Sequence, residues 1–165
     1  MVTIIDYGLG NLGSILNMFN KIQVKSEITS SPQKIEQATK ILLPGVGAFD
    51  AAMKKIEDNG LMEVLTKKAM KDKIPFLGIC LGMQLLTEKS EEGKQNGLGF
   101  IRGETKKFEF ENNALKVPHM GWNVINLKRS SPLTLGMSEY EQRFYFVHSY
   151  YVQCTNPENI IATTH

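Results

Sequence analysis

Cys80 stands between two glycines in the stretch FLGICLGMQLL, residues 76–86. The order Gly78–Ile79–Cys80–Leu81–Gly82 has the form of a nucleophile elbow, in which small flanking residues let a strand turn sharply into a helix and expose a reactive side chain. Such a turn serves chemistry twice. The partial positive charge at the start of the next helix stabilises a thiolate, and backbone N–H groups there can hold an oxyanion. A small core residue closing a strand is the plainer reading of a free cysteine, and these five residues alone leave both open. Cys154 has no comparable setting and reads as a packing residue.

A second glycine-rich stretch, PGVG at 44–47, ends the preceding apolar run. A peptide flanked by Gly45 and Gly47 can turn an N–H toward the carbonyl oxygen of a substrate held by Cys80, although Pro-Gly also predicts a plain turn. In DYGLGN, residues 6–11, Gly8 and Gly10 lack the third glycine of a dinucleotide fingerprint, so no nicotinamide cofactor is expected. No other cofactor is implied. Three histidines and two cysteines without clustering predict neither a metal site nor a disulfide framework. A formal charge of +2 gives no footprint for nucleic acid, and Lys67, Lys68, Lys71 and Lys73 read as the solvated face of a helix. No apolar run is long enough to span a bilayer. The chain opens on VTIID without a signal-peptide pattern, so a cytosolic, reducing compartment is expected.

The elements that must position these residues alternate in the first half. VTIID (2–6) reads as a buried strand, 11–22 as a helix with Leu12, Ile15, Leu16 and Phe19 on one face, and 27–29 as a second strand. Ser31 before Pro32 marks a helix start. KILLPGVG is a third strand, 48–57 and 61–71 are helical, IPFLGI (74–79) is a fourth strand and LGMQLLTE a helix. This order predicts an α/β fold with a mainly parallel sheet covered by helices on both faces. From Gly97 the runs ETKKFEF, ALKVPHMGWNVINL, RFYFVHSYYVQC and IIATT are β-like, predicting an antiparallel or mixed extension of that sheet. With 165 residues and no linker, one domain over 1–165 is expected.

Taken together, DYGLGN, LLPGVGAFD, FLGICLGMQLL, KVPHMGWN and FYFVHSYYV resemble the glutaminase subunit of imidazole glycerol phosphate synthase, a triad-type class I glutamine amidotransferase. The resemblance is collinear from Val2 to the last residue. It implies a flavodoxin-like, three-layer fold and hydrolysis of glutamine to glutamate. The ammonia would pass to a (β/α)8-barrel cyclase partner in a heterodimer of histidine biosynthesis. By the resemblance, Cys80 is the nucleophile, Leu81 donates one oxyanion-hole N–H, and Val46 and Gly47 belong to the oxyanion segment. Gln84 and Glu92 hold the substrate, Glu92 at its α-ammonium, and Ser149 and Tyr150 receive its α-carboxylate through their backbone. Asn11, His119, Trp122 and Tyr145 fall at or near the partner contact.

The family pattern continues past IIATTH into a segment of the form F-H-P-E-K-S, which carries a histidine base and a glutamate. The 165 residues do not include it. Without that base the thiol would rely on the helix dipole alone, and an apolar face of the sheet would stand open. His148 offers a weak substitute as base, since it lies within a strand pattern. Three other readings stay open. One is a paralogous subunit supplying ammonia for amidino-sugar synthesis, another a base-less subunit that only binds the partner. The third is a cysteine hydrolase of similar fold acting on a different substrate.

Overall fold

The computed structural model describes residues 1–111, 115–137 and 142–165. Strands β1 (Val2–Ile5), β2 (Ser26–Thr29), β3 (Ile41–Leu43) and β4 (Phe76–Gly78) form a parallel sheet in the order β2-β1-β3-β4. The central strands are apolar and buried on both faces, as a helix-covered parallel sheet requires: Ile4, Ile5, Ile41, Leu42 and Leu43 are at most 3% exposed. Strand β4 is the edge, so its outer side is unpaired within this sheet.

Helix α1 (Leu12–Lys21) starts at Asn11, whose Oδ1 accepts from the Ser14 N–H at 3.2 Å. Helix α2 (Pro32–Glu36) starts where Ser31 and Pro32 predict it. Helix α3 (Phe49–Asp58) buries Phe49, Ala52, Met53 and Ile56, an i, i+3, i+4, i+7 stripe against the sheet. Each large side chain so buried contributes about 1.5–3 kcal/mol. Helix α4 (Met62–Thr66) runs into a wider π turn at Lys67–Lys71.

The expectation of a solvated lysine face fails at Lys68, which continues the buried stripe of Leu61, Val64 and Leu65 at i, i+3, i+4 and i+7. In the π turn the Asp72 N–H donates to the Lys67 carbonyl, five residues back. Lys68 is 6% exposed; its ammonium donates to the Glu36 carbonyl at 3.0 Å and pairs with Asp72 at 2.9 Å.

After α5 (Leu81–Leu85) the chain turns to β structure. Strands β5 (Lys89–Ser90), β6 (Gly103–Lys107), β7 (His119–Leu127), β8 (Arg143–His148), β9 (Tyr150–Cys154) and β10 (Ala162–Thr164) make two three-stranded sheets, β5-β6-β9 and β10-β7-β8. The expected extension is therefore two small sheets among the described residues, not a continuation of the first. The run RFYFVHSYYVQC divides at Ser149: β8 pairs with β7, whereas β9 pairs with β6. Ala114, the expected start of the run containing β7, lies outside the described residues. Among the described residues no helix is long and apolar enough to cross a membrane.

Candidate active site

The elbow is built by contact, not by turn preference alone. Cys80 has φ 54° and ψ −120°, a left-handed backbone that costs a non-glycine residue about 1–3 kcal/mol. Its neighbours explain how that is held. A Cβ at Gly78 would lie 2.6 Å from the Gly82 carbonyl oxygen and from the Met83 Cα, and one at Gly82 would overlap the Leu43 carbonyl oxygen. Helix α5 therefore docks its first turn directly on the ends of β3 and β4. Leu81 is buried, while Cys80 itself is exposed, so the thiol faces outward above the carboxyl edge of the sheet. The first N–H groups of a helix point away from its own ladder. Leu81 supplies such a group beside the thiol.

The 44–47 segment packs against this turn. A Cβ at Gly45 would be 2.9 Å from the Gly82 nitrogen and 2.6 Å from the Tyr7 hydroxyl. Val46 is half exposed, and Gly47 has φ 99° with open space around it. A packed Gly45 and an open Gly47 thus flank a peptide that can present an N–H near Cys80. Tyr7, fully buried, donates its hydroxyl to the Pro44 carbonyl at 2.8 Å. Burial first, and the charge at Cys80 second, push its phenol up to about 12. Sequence reading missed Tyr7, because nothing in DYGLGN signals a bond to a residue 37 positions away.

Gln84 lies one turn beyond Cys80, buried, and its Oε1 has no hydrogen-bond partner among the described residues. An unpaired buried carbonyl oxygen costs about 1–3 kcal/mol, which a donor on a bound molecule would recover. Glu92 is half-buried; burial first, then the charge of Asp50, raise its carboxyl above the usual range. Burial first, then the charges of Glu92 and Glu91, raise the Tyr150 phenol. The Ser149 carbonyl is already occupied by the Phe108 N–H at 3.0 Å. Among the described residues no group of histidine, cysteine, aspartate and glutamate side chains is arranged to hold a metal ion.

Asn11, at the start of α1, follows β1 on the same carboxyl edge as the elbow. On the β7–β8 hairpin, Trp122 and Tyr145 pair across the strands with rings edge-to-face, centroids 5.7 Å apart. Met120 and Val147 continue that face, and all four side chains are more than half exposed. His119 is on the opposite face of the pleat from Trp122. There its Nδ1 lies 2.9 Å from His148 Nε2, and His148 Nδ1 donates to the Tyr150 carbonyl at 2.7 Å. Asn123 Nδ2 reaches His119 Nε2 at 3.3 Å, with its Oδ1 turned to the Val124 N–H. This chain of donors closes only when both imidazoles are neutral: His119 donates to His148 and accepts from Asn123. With both nitrogens engaged, His148 is not placed to serve as a base.

Burial, and then His148, hold the His119 pKa below its ordinary 6.5. The unfolded chain therefore takes up a proton first as pH falls, so the pair's contribution is complete above about pH 6.5 and is lost below it, toward the folded pKa. We expect the thermal midpoint to fall on acidification through this range, and His119→Asn to flatten the slope. An unchanged slope in that variant would place the acid sensitivity elsewhere.

The glutamine amidotransferase class-I family model matches residues 3–165. The chain belongs to that family. Among its relatives, imidazole glycerol phosphate synthase subunit HisH 2 of Methanococcus maripaludis is 51% identical, over 99% of this chain and 80% of the relative. Subunit HisH 2 of Pseudomonas aeruginosa is 45% identical over 99% and 80%, and subunit HisH of Leptospira interrogans 43% identical over 98% and 80%. In fold, the amidotransferase is similar to a solved glutamine amidotransferase with a TM-score of 0.75 at 12% identity, covering 98% of this chain and 79% of that one. A glutamine amidotransferase of Thermotoga maritima gives 0.57 at 18% identity, over 93% and 62%.

Proposed function

We propose that this amidotransferase is the glutaminase subunit of an imidazole glycerol phosphate synthase, with Cys80 as nucleophile. The carrying observation is the exposed thiol on a left-handed backbone at the start of α5, a strained arrangement that a packing cysteine has no need of. In this reading Cys80 attacks the glutamine side-chain amide and ammonia leaves a glutamyl thioester. The Leu81 N–H and a peptide of the Val46–Gly47 segment take the charge that develops on the carbonyl oxygen. The unpaired Gln84 oxygen receives a substrate donor, and Glu92 faces the α-ammonium. The Ser149 and Tyr150 backbone receives the α-carboxylate in this reading.

The thiol proton and the hydrolytic water require a base, which the family resemblance assigns to a histidine in the segment after residue 165. Leu77, Ile79 and Met83, each about 40% exposed beside the open edge of β4, support packing of such a segment there.

Ammonia must reach its acceptor before water protonates it, so the partner has to cover the thiol side. The aromatic face of Trp122 and Tyr145 supports binding to a barrel-type cyclase in a heterodimer, with Asn11 as a further contact, whereas His119 lies on the opposite face of the pleat, bonded to His148 and Asn123. The test is glutamate formation from glutamine by the complete subunit, with and without the cyclase and its ligand. Turnover that appears only with the partner is expected. Turnover of another amide without any partner, and none of glutamine, would replace this reading by that of a different hydrolase.

A further inference from the structure

The loop that carries Glu92 hangs on a residue outside the elbow. Asp50, in the first turn of α3 and three residues past Gly47, accepts the Lys94 N–H on Oδ1 at 2.9 Å and on Oδ2 at 3.0 Å. Its Oδ1 also accepts the Gln95 N–H at 3.0 Å. The loop approaches so closely that a Cβ on Gly93 would overlap Oδ1. From the other side, Glu91 is tied down: its carboxylate accepts the Lys107 N–H at 2.8 Å and the Lys106 ammonium at 3.1 Å. The Glu92 N–H donates to Ser90 Oγ at 3.1 Å. Glu92 is thus fixed between two anchors, and its own carboxylate makes no hydrogen bond or ion pair among the described residues.

We propose that Asp50 is a positioning residue for substrate: it ties the 91–95 loop to the helix that follows the oxyanion segment and so sets the distance from Glu92 to Cys80. The proposal rests on Glu92 receiving the α-ammonium of glutamine. Two observations give it direction. The Asp50 carboxylate is spent on backbone N–H groups, of Gln95 first and then Lys94, which hold its carboxyl below the usual range, so it is ionised while it holds the loop. Its charge also helps, after burial, to raise the Glu92 carboxyl, and a cation at Glu92 relieves that repulsion. A substrate ammonium is such a cation. Binding of the ammonium precedes chemistry at the amide, so the loss should register in KM and spare kcat.

The experiment compares Asp50→Ala and Asp50→Asn with the parent in the assembled complex, measuring glutamine kcat and KM. Alkylation of Cys80 is followed with iodoacetamide and with a chloroketone analogue of glutamine. For Asp50→Ala, KM is expected to rise about tenfold or more with kcat changed less than about threefold. Alkylation by the chloroketone should slow in step with KM, and that by iodoacetamide, which has no α-amino group, should not. Asn keeps an oxygen acceptor for part of the loop, so Asp50→Asn should fall between the two and guards against a fold that fails in the alanine variant. An unchanged KM in both variants would overturn the proposal, as would equal slowing with both reagents. Absence of glutamine turnover in the parent complex is a separate result, and it would overturn the glutaminase reading together with what rests on it.

Discussion

Replacing Cys80 by alanine or serine should lower glutamine hydrolysis in the assembled enzyme by about 10⁴-fold or more, since the variant loses the atom that carries the acyl group. That corresponds to roughly 5.5 kcal/mol of transition-state stabilisation. Serine is not a rescue. Its hydroxyl is a far weaker nucleophile than a thiolate. Folding should be nearly unaffected, because the thiol is exposed and fills no cavity. The backbone at position 80 remains left-handed in either variant, so its strain is unchanged. Partner binding should persist, because Trp122 and Tyr145 present their face on a different sheet. Ammonia supplied directly should still be consumed by the partner. Measuring glutamine-dependent and ammonia-dependent turnover side by side separates these claims. Glutaminase activity retained in the alanine variant would remove Cys80 from the mechanism, whatever the family.

How much of this is legible in the sequence follows from the range of each interaction. The elbow is local: Gly78, Cys80 and Gly82 fall within five residues, and the apolar runs on either side declare a strand and a helix. The parallel sheet is equally accessible, since alternating apolar and amphipathic runs call for strands joined by helical crossovers. Lys68 is misread because a lysine is expected in solvent, whereas this one falls on the packed stripe of Leu61, Val64 and Leu65, with its ammonium held by the Glu36 carbonyl and Asp72. The division of RFYFVHSYYVQC at Ser149 is invisible for a related reason: both halves have strand composition, and only their partners, β7 and β6, tell them apart. Tyr7 and Asp50 escape notice on other grounds. Their bonds run to residues 37 and 44 positions away, and a tyrosine or aspartate at a turn carries no mark of such a partner. Glu92 can be named from the resemblance, but only the structure shows that the Glu91 carboxylate is tied to Lys106 and Lys107 while that of Glu92 is not.

Gly82→Ala should be the most damaging single methyl group near the site. The added Cβ would overlap the Leu43 carbonyl oxygen and lie 2.8 Å from its carbonyl carbon and 3.1 Å from that of Pro44. These are backbone atoms of a buried strand and cannot swing aside as a lysine tip would. Helix α5 must therefore back away from β3, at a cost of about 1–3 kcal/mol for overpacking. That movement also separates Leu81 and Cys80 from the 44–47 segment. A displacement of about 1 Å in such a constellation lowers turnover roughly 10²-fold, so the loss in rate should exceed what the fall in stability explains. Gly13 provides the control. It lies in α1 with ordinary backbone angles, and an added methyl there would meet nothing within 4 Å. Gly13→Ala should therefore stabilise by about 0.4–1 kcal/mol and leave the rate alone. Urea denaturation and glutamine turnover of both variants test the contrast. If Gly82→Ala matched the parent in both, the elbow would not depend on the close seating of α5 on β3.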